Sequence, residues 1–182
     1  MKRYEFWFLA GTQPLYGDDV ISSVNEHAKI MAEGLNRSLR IPCAVIYKTA
    51  VKDSESITKT ILEANADENC AGIITWMHTF SPSKMWISGL TKLQKPLLHL
   101  NTQFSRDIPW ESIDMAYMNL NQSAHGDREH GFIGARLRIP RKVIAGYWED
   151  EKTQDRLGNW MRSAVGACES RHLKVCRFGD NM

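Results

Sequence analysis

The densest set of chemically capable side chains lies in Asn119-Leu120-Asn121-Gln122-Ser123-Ala124-His125-Gly126-Asp127-Arg128-Glu129-His130. Two imidazoles, two acids and several amides fall within a dozen residues. A metal site is a poor reading of them. His125 and His130 stand five apart instead of the four that places two ligands on one helical face, and Arg128 would repel a cation. Gly126 is expected to interrupt the helix between them. The residues leave two readings open: a polar patch that meets a sugar or a neighbouring subunit, or a solvated loop with charge pairs such as Asp127 with Arg128.

Two other segments carry polar groups next to apolar runs. Gly11-Thr12-Gln13-Pro14-Leu15-Tyr16-Gly17 offers Gln13 and Tyr16, whose amide and phenol suit sugar hydroxyls. It is neither G-x-G-x-x-G nor a P-loop, and Pro14 removes a backbone donor, so a nucleotide phosphate cradle is unsupported. The other segment, Trp76 to Pro82, contributes His78, with no carboxylate nearby, and reads as structural. No Ser-His-Asp or Cys-His set is legible. No pair of carboxylates suggests shared acid and base duty.

The elements that must position these segments alternate strand and helix. Tyr4–Ala10, Cys43–Tyr47, Cys70–Trp76, Pro96–Leu100, Val143–Ala145 and His172–Cys176 are short apolar runs, each expected to be a strand. Between them, Val20, Val24, Ala28, Met31, Leu35 and Leu39 repeat at helical spacing, with Asp18 or Asp19 as N-cap. Asp53 or Ser54 caps a second helix that buries Ile57, Ile61 and Ala64. A third begins at Pro82 and buries Met85, Gly89 and Leu93. Helical pieces are expected over 112–122 and 124–137. The last helix runs from Glu149 to Cys168, with Leu157, Trp160, Met161, Ala164, Val165 and Cys168 on one face. Uniformly apolar strands joined by amphipathic helices predict an α/β fold, a flavodoxin-like doubly wound parallel sheet with helices on both faces. Ligands of such sheets gather at the carboxyl ends of the strands, where the three polar segments fall.

The bulk properties exclude several classes. The 182 residues carry 23 basic and 21 acidic groups, a net charge of +2, which gives no reason to expect nucleic acid or a membrane surface. The N-terminal apolar run is broken by Glu5 and stops at Gly11, too short for a signal peptide or a span. Cys43, Cys70, Cys168 and Cys176 match no zinc or C-x-x-C pattern and are expected to be buried thiols of a cytoplasmic protein. Residues 1–170 are expected to form one domain. Residues 171–182, ending in a loop-like run, are expected to start a truncated central domain.

Several long strings resemble the L-arabinose isomerase family: Ala10 to Gly17, Trp76 to Trp86, Lys95 to Phe104, Asn119 to Arg136 and Arg171 to Met182. Pro14 departs from the pattern, standing where several relatives carry His. The resemblance implies an isomerase that interconverts L-arabinose and L-ribulose, and often D-galactose and D-tagatose. In that family a divalent metal, usually Mn2+, polarises the sugar oxygens while two glutamates move a proton through an enediol. The two Glu and two His ligands belong to later domains, and none maps onto this chain. The family's front domain has a flavodoxin-like fold, packs into a homo-oligomer, commonly a hexamer, and helps wall the sugar pocket. By position, the resemblance implies substrate contacts at Gln13, Leu15, Tyr16, Gln122, His125 and Met182. Gln13, Gln122 and His125 would hydrogen-bond hydroxyls, Leu15 and Met182 would shape the pocket, and His130 would be an ordinary surface residue. The alternative is a stand-alone, non-catalytic sugar-binding or subunit-interaction domain. A flavin or nucleotide carrier on the same fold lacks its phosphate loop.

Overall fold

A computed structural model describes residues 3–179. Among these residues five strands form one parallel sheet: β1 (Glu5–Gly11), β2 (Ala44–Val51), β3 (Cys70–Met77), β4 (Leu97–Asn101) and β5 (Lys142–Ala145), in the order β2-β1-β3-β4-β5. That is the expected flavodoxin-like order, with the direction of winding reversing between β1 and β3. β3 is buried at all eight positions and β1 from Phe6 onward. Central strands covered on both faces have no solvent side, which is why their sequences show no polar alternation.

Successive residues of β1 feed two different cores. Phe6 and Phe8 pack with Val24, Met31 and Leu35 of α1 (Asp18–Arg37) and with Leu157 and Met161 of α6 (Glu151–Ser170). Trp7 and Leu9 face the other way, toward Ile57 and Ile61 of α2 (Ser54–Ala66) and Leu90 of α3 (Ile87–Leu90). Two further helices, α4 (Met115–Leu120) and α5 (Ser123–Arg136), lie between β4 and β5. Asp53 caps α2 through a capping box with Ser56, its carboxylate accepting from the Ser56 amide at 2.7 Å. No described helix is long and apolar enough to cross a membrane.

The structure corrects several expectations. Gly17, at φ 82°, is the N-cap of α1, while Asp18 and Asp19 occupy its first turn, where acids favour the positive end of the helix dipole. Leu39 lies beyond the helix end and is fully exposed. The crossover after β3 is a 3-10 turn (Ser83–Trp86) leading into the four-residue α3, instead of one longer helix. α5 runs through Gly126 without a break. The segment His172–Cys176 forms no strand: all of it is exposed and no neighbour offers a ladder. An apolar alternation without a hydrogen-bonding partner gains nothing by extending. The thiols are also unlike one another. All are free, but Cys70 alone is fully buried, Cys43 and Cys168 are half-buried, and Cys176 is exposed.

Candidate functional site

The carboxyl ends of β1 and β3 lie side by side, Gly11 level with Met77. The chain leaves β1 through two buried residues, Thr12 and Gln13, before the 3-10 turn Pro14–Tyr16. Pro14 suits the first position of that turn, where a backbone donor has no partner. Beyond β3, the buried Thr79 donates its hydroxyl to Thr12 Oγ1 at 2.9 Å, tying the two exit loops together. Leu15 projects into solvent, 83% exposed, and Tyr16 is half-buried.

α5 completes this end of the sheet. A Cβ at Gly126 would lie 2.9 Å from Met77 Cβ and 3.3 Å from the Thr79 carbonyl oxygen, so only glycine lets the helix come this close to β3. Thr79 therefore touches both sides: Thr12, beside Gln13, and Gly126, beside His125. Gln122 sits just before the helix, and its carbonyl accepts from the amides of His125 at 3.1 Å and Gly126 at 3.0 Å. Its side-chain amide donates to Asn119 Oδ1 at 3.1 Å. His125 is exposed, with its ring centre 4.7 Å from that of Phe80. Phe80, His125, Arg128, Glu129 and Phe132 line a groove of about 540 Å3. No hydrogen bond joins Gln13 or Tyr16 to Gln122 or His125 among the described residues. Met182 lies outside the described residues.

The inward face of α5 is made of Ser123, Gly126, Asp127, His130 and Gly134, with no large apolar side chain among them. The bonds made there overturn two expectations. Asp127 turns inward to His99 Nε2 of β4, 2.5 Å away with both side chains 2% exposed, instead of pairing with Arg128 in solvent. His130 is not a surface residue: it is 1% exposed, stands edge-on to Trp86 and His99, and its Nε2 lies 3.4 Å from Thr75 Oγ1. Burial raises the Asp127 carboxyl above its usual range against the opposing pull of His99. Burial, then His99 and Arg141, pushes His130 down to about 3, which keeps it neutral.

His78 stacks on Trp76 with ring centres 4.3 Å apart and meets His27 of α1, Nε2 to Nδ1, at 2.7 Å. His27 stacks in turn on Phe104. Burial, then His27, drives His78 down to about 3. This pair lies on the opposite face from α5, with His78 fully buried. The set around His99 leaves a detectable trace in sequence. His99 is a lone polar residue in Leu97-Leu98-His99-Leu100, and a buried strand position of that kind needs a partner. Asp127 and His130 share a helical face with Ser123, Gly126 and Gly134, a small-residue stripe that signals close approach once Gly126 is read as a contact instead of a break.

Chemically, this edge presents amides at Gln13 and Gln122, an imidazole at His125 and a phenol at Tyr16, with the faces of Phe80 and Phe132 beside them. Such groups bind polyols: donors and acceptors for hydroxyls, aromatic faces for C–H surfaces. Among the described residues no group of three or more His, Cys, Asp or Glu side chains could hold a metal ion.

Fold and site together define a doubly wound α/β domain with a polyol-compatible edge at its topological switch point. The model of the L-arabinose isomerase N-terminal domain matches residues 1–172, and the chain belongs to that family. It is 59% identical to the L-arabinose isomerase of Geobacillus thermodenitrificans (strain NG80-2) over 182 residues, all of this chain and 37% of that protein. It is 60% identical to L-arabinose isomerase 1 of Bacillus licheniformis, covering 36% of it, and 53% identical to the L-arabinose isomerase of Thermotoga petrophila, covering 37%. The chain thus spans between a third and two fifths of the length of the curated relatives it matches.

Proposed function

We propose that this sequence serves as the front domain of a cytoplasmic aldose–ketose isomerase that converts L-arabinose to L-ribulose, and D-galactose to D-tagatose. The observation that carries the reading is 59% identity, across the whole chain, to proteins named L-arabinose isomerase. The domain's part is to bind and orient. Gln13, Gln122 and His125 hydrogen-bond sugar hydroxyls, Tyr16 contacts the substrate beside them, and Leu15 and Met182 shape the pocket wall. Residues 1–170 form the domain and 171–182 lead toward a central one. The exposure of Leu15 supports a pocket shared with another surface, as in a homo-oligomer such as a hexamer. The described residues do not fit a Mn2+ site. The metal's task, polarising the sugar oxygens, is assigned to the remainder of a longer enzyme, and the 182 residues alone are expected to form no ketose.

The test is the intact mass of the native gene product, captured from its source cells with an antibody to this domain. A mass far above 20.8 kDa supports the isomerase reading. A mass at that value overturns it in favour of a stand-alone sugar-binding or subunit-interaction domain.

A further inference from the structure

α5 carries the proposed sugar contacts on its outer side and lacks what usually holds a helix in place. Amphipathic helices dock by burying an apolar stripe. The inward face of α5 offers two glycines, a serine, an aspartate and a histidine, while of its two large apolar residues Phe132 is 59% exposed and Ile133 only half-buried. Its contacts with the second core are the backbone of Gly126 against Met77 and the His130 ring against Trp86, with apolar side chains joining only past its C-terminus, at Leu137 and Ile139. Its position is set by directional bonds. Asp127 meets His99 of β4, His130 lies beside Thr75 of β3, and Glu129 Oε2 accepts from the Ser83 amide at 2.8 Å. The first of these joins two fully buried partners. Among the described residues, Asp127 Oδ2 and His99 Nδ1 have no hydrogen-bond partner, nor has His130 Nδ1 beside them. A buried polar pair of this kind is a weak source of stability and a strong source of geometric specificity, because few arrangements satisfy it.

We infer that Asp127 and His99 are positioning residues: their buried bond fixes the rotation and depth of α5, and so holds His125 against Phe80 and Gln122 at the mouth of the exit loops. The link is short. His125 is two residues from Asp127, and Gln122 bonds the backbone of His125 and Gly126. Among the described residues this is the one fully buried side-chain hydrogen bond made by the first half of the helix, so its loss removes the directional restraint there. The consequence for sugar handling rests on the function proposed above. The anchor itself can be read without sugar.

The experiment is proton NMR on the 182-residue chain, comparing the unsubstituted protein with Asp127→Ala and Asp127→Asn. In the unsubstituted protein, nuclear Overhauser contacts are expected between the His125 and Phe80 rings. Asp127→Ala should abolish them while the β1–β3 contacts persist. Asp127→Asn offers both an amide oxygen and an N–H, either of which can pair with His99 Nε2, and should restore most of them. An unchanged His125–Phe80 contact in Asp127→Ala would overturn the inference. So would loss of the β1–β3 contacts, since the pair would then hold the whole sheet and not one helix. In an isomerase containing this domain, Asp127→Ala should raise the sugar KM roughly tenfold with kcat nearly unchanged, the signature of misplaced binding groups. A KM that stays fixed while the ring contact is lost would overturn the link to substrate. Absence of isomerase activity from the unsubstituted longer enzyme would sink the proposed function, and the ring contact in the 182-residue chain would then decide alone whether the anchor exists.

Discussion

Gly126 and Gly131 lie in the same helix and make opposite predictions on substitution by alanine. At Gly126 the added methyl would meet Met77 Cβ at 2.9 Å and the Thr79 carbonyl oxygen at 3.3 Å. Neither is the far end of a flexible side chain, so α5 must lift from β3 or the exit loop must yield. Overpacking of this kind costs about 2–3 kcal/mol. The better helix propensity of alanine returns about 1 kcal/mol, leaving a net destabilisation of about 1–2 kcal/mol. At Gly131 nothing lies within 4 Å of the added methyl, so only the propensity gain of about 1 kcal/mol remains. The two variants should therefore differ by about 2–3 kcal/mol in urea unfolding at neutral pH, with Gly131→Ala above the parent and Gly126→Ala below it. For a domain of this size that gap is a difference of roughly 4–12 °C in Tm. Equal stabilities would refute the close contact between α5 and β3, and with it the geometry that places His125 beside the exit loops.

Acid should weaken the fold. His78 and His130 are held at about 3 against an ordinary value of 6.5, so the unfolded chain takes up protons that the folded chain refuses. Their contribution is complete above pH 6.5 and is lost as pH falls below it; between pH 6.5 and 5 each accounts for about 2 kcal/mol. The raised Asp127 carboxyl has the opposite sign, its contribution growing as pH falls through its folded value. A urea midpoint that fails to drop between pH 7 and 5 would contradict the neutral burial of the two imidazoles. The thiols supply a separate check. Cys176, being exposed, should react with an aromatic disulfide within the native state, while Cys70, buried and pushed up to about 11, should react only on unfolding. Equal rates for the two would contradict their placement.

The sheet was legible because its strands are short apolar runs and its main helices repeat at helical spacing. Both patterns report burial directly. The site was legible as segments, since topology alone sends the ends of β1 and β3 to one edge. What escaped was the underside of α5. A face of Ser123, Asp127 and His130 looks solvated on any hydropathy pattern, and only tertiary partners, His99 above all, turn it inward. The opposite error occurred at His172–Cys176, whose Leu173 and Val175 alternate like a strand but, 72% and 82% exposed, have no sheet to join. Pattern reports what a segment could bury; partners decide whether it does.

If His125 and Gln13 touch the sugar while the metal is held elsewhere, binding of sugar and binding of metal should be separable. Steady-state conversion of L-arabinose to L-ribulose by the complete gene product, with metal content measured alongside, puts this to the proof. His125→Ala should lower kcat/KM at least tenfold, roughly the worth of one lost hydrogen bond to a substrate hydroxyl, with bound metal unchanged. Unchanged kinetics, or a loss of metal in step with the loss of rate, would show that His125 does not play this part.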